Sequence, residues 1–167
     1  KSYEKMNNNE KSIKWYQEAT KYLTTYYGQL AYLKIKPNEK FELKEQINVD
    51  AKYRKKFYEK DLVKIVFLLD ELNKDKYTKD ILKHLAAENV ENGSEILAAE
   101  LATNISRYDF AIQIAKLASY EKRFHNNFNY PIISIPKKVK DRKIPETAFI
   151  LSIIRQESEF DISANSH

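Results

Sequence analysis

Apolar residues recur at helical spacing along most of the chain, three or four positions apart with polar residues between them. Ile13, Tyr16, Leu23, Tyr26, Tyr27 and Leu30 trace one face of a first predicted helix. Asp61 can cap a second, whose stripe is Leu62, Ile65, Val66, Leu69 and Leu72. A third opens at Thr78 or Asp80 and carries Ile81, Leu82, Leu85 and Ala86. Ser94 stands where an N-cap belongs after Gly93, ahead of Ile96, Leu97, Leu101 and Ile105. A fifth helix begins near Tyr108, and its stripe of Ala111, Ile114, Ala115 and Ala118 is small enough to let neighbours approach closely. Phe41-Glu42-Leu43 is the one short segment resembling a strand, and it is discounted. Helices with short polar links predict an all-α fold of stacked helical hairpins, an α-solenoid. There is no clean repeat at about 34 or 40 residues, so the superhelix is expected to be irregular.

The pattern changes near residue 129. Asn129-Tyr130-Pro131 and Ile135-Pro136 interrupt it, and residues 137–143 form a basic run, read as an exposed linker. Pro145 then stands where the first turn of a helix tolerates proline. Glu146 to Glu157 read as a strong helix with Phe149, Ile150, Ile153 and Ile154 on its buried side. The expected organisation is a superhelical domain over residues 1–136 and the start of a second domain over 137–167. One helix with such an apolar face cannot be a domain alone, so it either packs on the superhelix or opens a domain continued elsewhere.

Composition narrows the picture in places. Two glycines and four prolines in 167 residues agree with long helices, because these residues punctuate turns. The lack of cysteine removes disulfides, thiolate zinc sites and thiol nucleophiles together. A net charge of +5 could favour anionic partners such as nucleic acid, lipid headgroups or cell-wall carboxylates, but solubility is the simpler reading. No uninterrupted apolar run of about 18 residues occurs, so no membrane span is expected, and Lys1-Ser2-Tyr3-Glu4-Lys5 carries no visible signal peptide.

The candidate chemistry lies at the end of the last helix. Glu157 follows Ile154 and Ile153 by three and four positions, so it projects from the apolar stripe at its C-terminal end. A carboxyl group there is expected to be partly desolvated and so to keep its proton near neutral pH, as a general acid on a glycosidic oxygen must. Arg155 and Glu159 are four apart and can pair along a wetter face, while Ser158 can bond to backbone or substrate. Taken from these residues alone, Glu157 is more simply read as an ordinary acid at a helix end, where glutamates are common.

The run Ile153-Ile154-Arg155-Gln156-Glu157-Ser158-Glu159-Phe160-Asp161 resembles the signature that opens the catalytic domain of soluble lytic transglycosylases, whose fold is similar to goose-type lysozyme. The family pattern reads approximately Arg-Gln-Glu-Ser-x-Phe-Asn/Asp, then a small residue and a serine before a Gly-Ala-x-Gly-Leu-Met-Gln run. Ala164-Asn165-Ser166 fits that lead-in. A second, independent match is Thr25-Tyr26-Tyr27-Gly28-Gln29-Leu30-Ala31, similar to a Tyr-Gly-Gln-Leu-Ala element in the family's superhelical domain. Ala115-Lys116-Leu117-Ala118 and Tyr130-Pro131 fall in the expected order, so the similarity spans roughly residues 10–167.

This resemblance implies a periplasmic enzyme that acts on peptidoglycan glycan strands and needs no cofactor and no metal. It implies that Glu157 is the single catalytic acid/base, protonating the bond between N-acetylmuramic acid and N-acetylglucosamine and then deprotonating the muramyl C6 hydroxyl. That hydroxyl attacks C1 and leaves a 1,6-anhydro sugar without water, so one carboxylate replaces the usual two. Ser166 matches a serine that in the family lies near the substrate and the acid, and Ser158 is kept as a second substrate-binding candidate. Glu159 points about 160° away from Glu157 on a helix and is read as surface charge. The Gly-Leu-Met-Gln segment and later tyrosine motifs that complete the family's groove are not in these residues, so the chain by itself is expected to be inert.

The remaining features receive plainer readings. His84, His125 and His167 show no ligand spacing, so no metal site is expected. Trp15, Tyr16, Tyr26 and Tyr27 could stack on sugars, but aromatics at helical spacing are read as core. Tyr53-Arg54-Lys55-Lys56-Phe57-Tyr58 interleaves bases and aromatics as single-strand nucleic-acid binders do, yet one short cluster is read as solvated surface, and no nucleic-acid partner is expected. Two rival functions stay open: a non-catalytic helical scaffold for protein partners, including cell-wall proteins, and a hydrolytic lysozyme-like glycosidase.

Overall fold

The structure, a computed structural model, describes residues 2–41, 43, 48–136, 138–140 and 142–165. The fold is all-α, with ten α-helices and one two-stranded hairpin among the described residues. The chain divides into two compact units, Lys1–Lys44 and Glu45–His167, so residues 137–167 fall within the second.

The first unit contains α1 (Ser2–Lys5), α2 (Asn9–Ala19), a 3₁₀ turn (Thr20–Tyr22) and α3 (Tyr26–Ile35). The single first helix expected over residues 13–30 is therefore broken in two. Thr25 causes the break: its backbone is extended, and its Oγ1 accepts from Gly28 N at 3.1 Å as the N-cap of α3. Gln29 Nε2 donates back to Leu23 O at 2.9 Å, and Ala31 is buried. Gly28 has no room for a side chain, since a Cβ would lie 2.0 Å from Tyr22 O. The Tyr-Gly-Gln-Leu-Ala element thus lies in the first turns of α3 and closes the corner between α2 and α3. The aromatics read as core are corrected here: Trp15 is 60% exposed, Tyr26 and Tyr27 are exposed, and Tyr16 is half-buried.

The second unit runs through α4 (Ala51–Tyr58), α5 (Asp61–Glu71), α6 (Asp75–Ala87), α7 (Ser94–Asn104), α8 (Tyr108–Tyr120), α9 (Asn126–Asn129), the hairpin β1 (Lys138–Val139) and β2 (Arg142–Lys143), and α10 (Thr147–Glu157). From α5 to α9, helices consecutive along the chain pack on one another. At the centre is α7, where Leu97, Ala98, Ala99, Leu101 and Ala102 are wholly buried against α4, α6 and α8. Its alanines let three helices close on one axis, and the predicted stripe Ala111, Ile114, Ala115 and Ala118 of α8 is buried as read.

Several sequence readings shift in detail. Ser94 does not cap α7; Gly93 takes that place at φ +86°, and Ser94 Oγ donates instead to Ala86 O at 2.6 Å. On α5 the buried residues are Val63 and Val66, while Ile65 and Leu72 stay exposed. The basic–aromatic stretch at 53–58 is α4, capped by Asp50; Phe57 is wholly buried and Tyr53 packs on the core, so its aromatics are structural. Within the basic run read as a linker, Lys138 pairs antiparallel with Lys143 and Val139 with Arg142. Phe41 and Leu43 carry no regular structure, and Glu42 lies outside the described residues.

Charged clusters around two buried residues, Arg107 and Glu95, help fasten this unit. Arg107 is buried and reaches Asp75 at 2.7 Å and Asp109 at 2.9 Å, with its guanidinium 3.8 Å from the Phe110 ring centre. Burial works against its charge, but the two carboxylates more than offset this and hold its pKa above the ordinary value. The second cluster, around Glu95, is described with the candidate site.

Candidate active site

The helix that carries the acid starts after Glu146 and ends on Glu157, with Ser158 as C-cap. Ser158 turns back on its own helix, both its N and its Oγ donating to Ile154 O, at 3.0 and 3.2 Å. Glu159 and Phe160 follow at φ +50° and +64°, two successive non-glycine residues in the left-handed region. This reversal turns Phe160 inwards, where it is buried against the ring of Tyr108 at 6.3 Å between centres. Asp161 closes the turn: its Oδ1 accepts from Ser163 N at 2.8 Å and Ser163 Oγ at 2.6 Å, and these bonds hold its carboxyl below the usual range.

Charge holds the helix end to its neighbours. Arg155 Nε donates to Asn129 O at 2.8 Å, and Arg155 Nη1 lies 3.1 Å from Glu159 Oε1. Lys116 of α8 donates to the same oxygen at 2.8 Å. Lys116 and, more weakly, Arg155 lower the pKa of Glu159 against the opposing effect of burial. The expected Arg155–Glu159 pair is therefore present. The reading of Glu159 as plain surface charge is corrected, because its carboxylate bridges α8 to α10.

Glu157 stands apart from this network. It is exposed, and among the described residues no ion pair engages it. The apolar side of α10 is open as well: Phe149 is 57% and Ile153 46% exposed, and no residue of the helix is fully buried. The expected burial of this face is corrected for Phe149 and Ile153, while Ile150 and Ile154 are half-buried, and the expected desolvation of Glu157 is corrected. On the other face, Ala148, Leu151, Ser152 and Arg155 line, with Tyr130, Pro131 and Ile132, a cavity of about 360 Å³ that Glu157 does not line. Ser166 lies outside the described residues.

The cluster that sequence reading missed is Glu95–Arg123–His125. Arg123 donates to both oxygens of Glu95 at 2.9 and 3.1 Å, and His125 Nε2 lies 3.0 Å from Glu95 Oε2, with Glu95 and His125 both buried. Burial raises the pKa of Glu95, but Arg123 and His125 outweigh it, and the net shift is downward. Glu95 and its partners are about thirty positions apart in sequence, a spacing with no local signal. The cluster locks the start of α7 to the segment after α8. No group of three or more metal-type ligands occurs among the described residues, and no helix there is long and apolar enough to cross a membrane. No family model, curated protein or solved structure matches the chain.

Proposed function

We propose that these residues belong to a peptidoglycan lytic transglycosylase in which Glu157 is the acid/base. The observation that carries this reading concerns the four charged side chains of the Arg155–Asp161 run. Arg155 and Glu159 are committed to holding the helix end and Asp161 to the turn beyond it, and Glu157 alone stays free to meet an external ligand. Its carboxylic acid would protonate the glycosidic oxygen as the bond to C1 of the muramyl ring breaks. The resulting carboxylate would take the proton of the C6 hydroxyl as that oxygen bonds to C1, so no water is consumed. Phe149 and Ile153 lie on the same side of α10 and would supply one apolar wall, strengthening the acid's hold on its proton once a glycan covers it.

Purified peptidoglycan incubated with the polypeptide that the gene encodes is expected to release 1,6-anhydromuropeptides, each lighter by one water than the hydrolytic product. Glu157→Gln is expected to abolish release. Hydrolytic products would favour a lysozyme-like enzyme. Undiminished release from the variant would remove Glu157 from the chemistry, and no release from either protein would favour a non-catalytic helical scaffold.

A further inference from the structure

The geometry points to a saccharide-binding site in the Lys1–Lys44 unit, built from α1, α2 and α3. These helices surround a cavity of about 450 Å³, within the size range of small-ligand pockets, about 300–1,000 Å³. Tyr3, Trp15, Tyr16 and Tyr27 line it, with Leu30 and Ala31 between them. Trp15 and Tyr27 are 60% and 73% exposed, so the rings are open to a ligand instead of being spent on a core.

The polar groups select the ligand. Glu4 accepts from Tyr16 Oη at 2.8 Å and from Lys34 Nζ at 3.1 Å, and both of these donors border the cavity. The Glu4–Lys34 pair adds no net charge, yet it leaves ammonium hydrogens and carboxylate lone pairs unused. Flat apolar rings beside the Lys34 ammonium and the hydroxyls of Ser12 and the tyrosines match a neutral sugar ring, whose C–H face stacks while its hydroxyls meet these polar groups. A cationic ligand is disfavoured by Lys34 in the wall and by Lys11, 5.7 Å from the Tyr3 ring centre. A nucleotide is disfavoured because its phosphate would have to compete with Glu4 for Lys34.

The inference does not rest on the role of Glu157. Trp15 is the one tryptophan of the chain, so its fluorescence reports this cavity directly. Titration of the chain with the trimer of β-1,4-linked N-acetylglucosamine is expected to give a saturable blue shift. Tyr27→Ala, at an exposed position, is expected to keep the parent's helix content by circular dichroism and to weaken binding by about tenfold. Tyr27→Phe keeps the stacking face and should retain binding, and Glu157→Gln should bind as the parent does. Absence of a saturable change overturns the proposal. So does an equal response to choline or adenosine monophosphate, or unweakened binding by Tyr27→Ala.

Discussion

Two glutamates two positions apart at the end of α10 meet opposite fates for a simple reason. Glu159 sits where the left-handed turn brings it back over α8, within reach of Lys116 and Arg155, whereas Glu157 is directed along the uncovered side. A carboxylate that already accepts from two cations is a poor proton donor, so the same contacts that make Glu159 a fastener make it unsuited to acid catalysis. Glu95 applies the fastening principle in the interior. Its folded pKa is below the ordinary 4.5, so its contribution to stability is complete above that value and is lost as pH falls through the folded one. Glu95→Gln, which leaves Arg123 and buried His125 without their anion, is expected to cost on the order of 3 kcal/mol at neutral pH. It should also flatten the acid limb of stability, and urea unfolding followed from neutral pH to pH 3 checks both effects. Unchanged stability across that range would mean the cluster contributes nothing.

At the scale of elements, the chain makes its turns with few glycines. Asn7, Asn73, Ser106 and Lys122 take the left-handed position just beyond α1, α5, α7 and α8. Each is followed by a residue whose N–H reaches five positions back, as Lys74 does to Leu69 O and Arg107 to Ala102 O. A non-glycine residue there costs about 1 kcal/mol, which the reach-back bonds and the packing beyond them offset. Gly28 is a different case, because what it needs is space. Gly28→Ala would press a methyl group against backbone atoms of Tyr22, which cannot rotate away as a side chain tip could. The expected loss is about 3 kcal/mol, the upper end of overpacking costs, seen as a lower thermal midpoint. A variant as stable as the parent would show that the α2–α3 corner can open freely.

For the whole molecule, the proposed activity turns on the open face of α10. A general acid needs its proton held in surroundings drier than water, and Glu157 is solvated beside an apolar stripe that the described residues leave uncovered. The 167-residue chain alone is therefore expected to release no anhydromuropeptides, and their appearance would show that one wall of apolar side chains suffices. The all-α class, the helices α6, α8 and α10, and the α8 stripe were legible in the sequence, because a period of about 3.6 residues is a local property of a helix. The Arg155–Glu159 pair was legible for the same reason, since helix geometry puts positions four apart on one face. Which faces are covered was not legible. Phe149 and Ile153 have the same spacing as Ala111 and Ala115, yet only the second pair finds neighbours. The Glu95–Arg123–His125 cluster, the exposed aromatics of the Lys1–Lys44 unit and the separation of Glu157 from its charged neighbours likewise depend on which segments distant in sequence meet. The sequence by itself determined the all-α class, the longer helices from α5 onward and the candidate acid, because these are written in short-range pattern. Tertiary structure alone decided which side chains are buried, paired or free, because burial is a property of contacts between residues far apart along the chain.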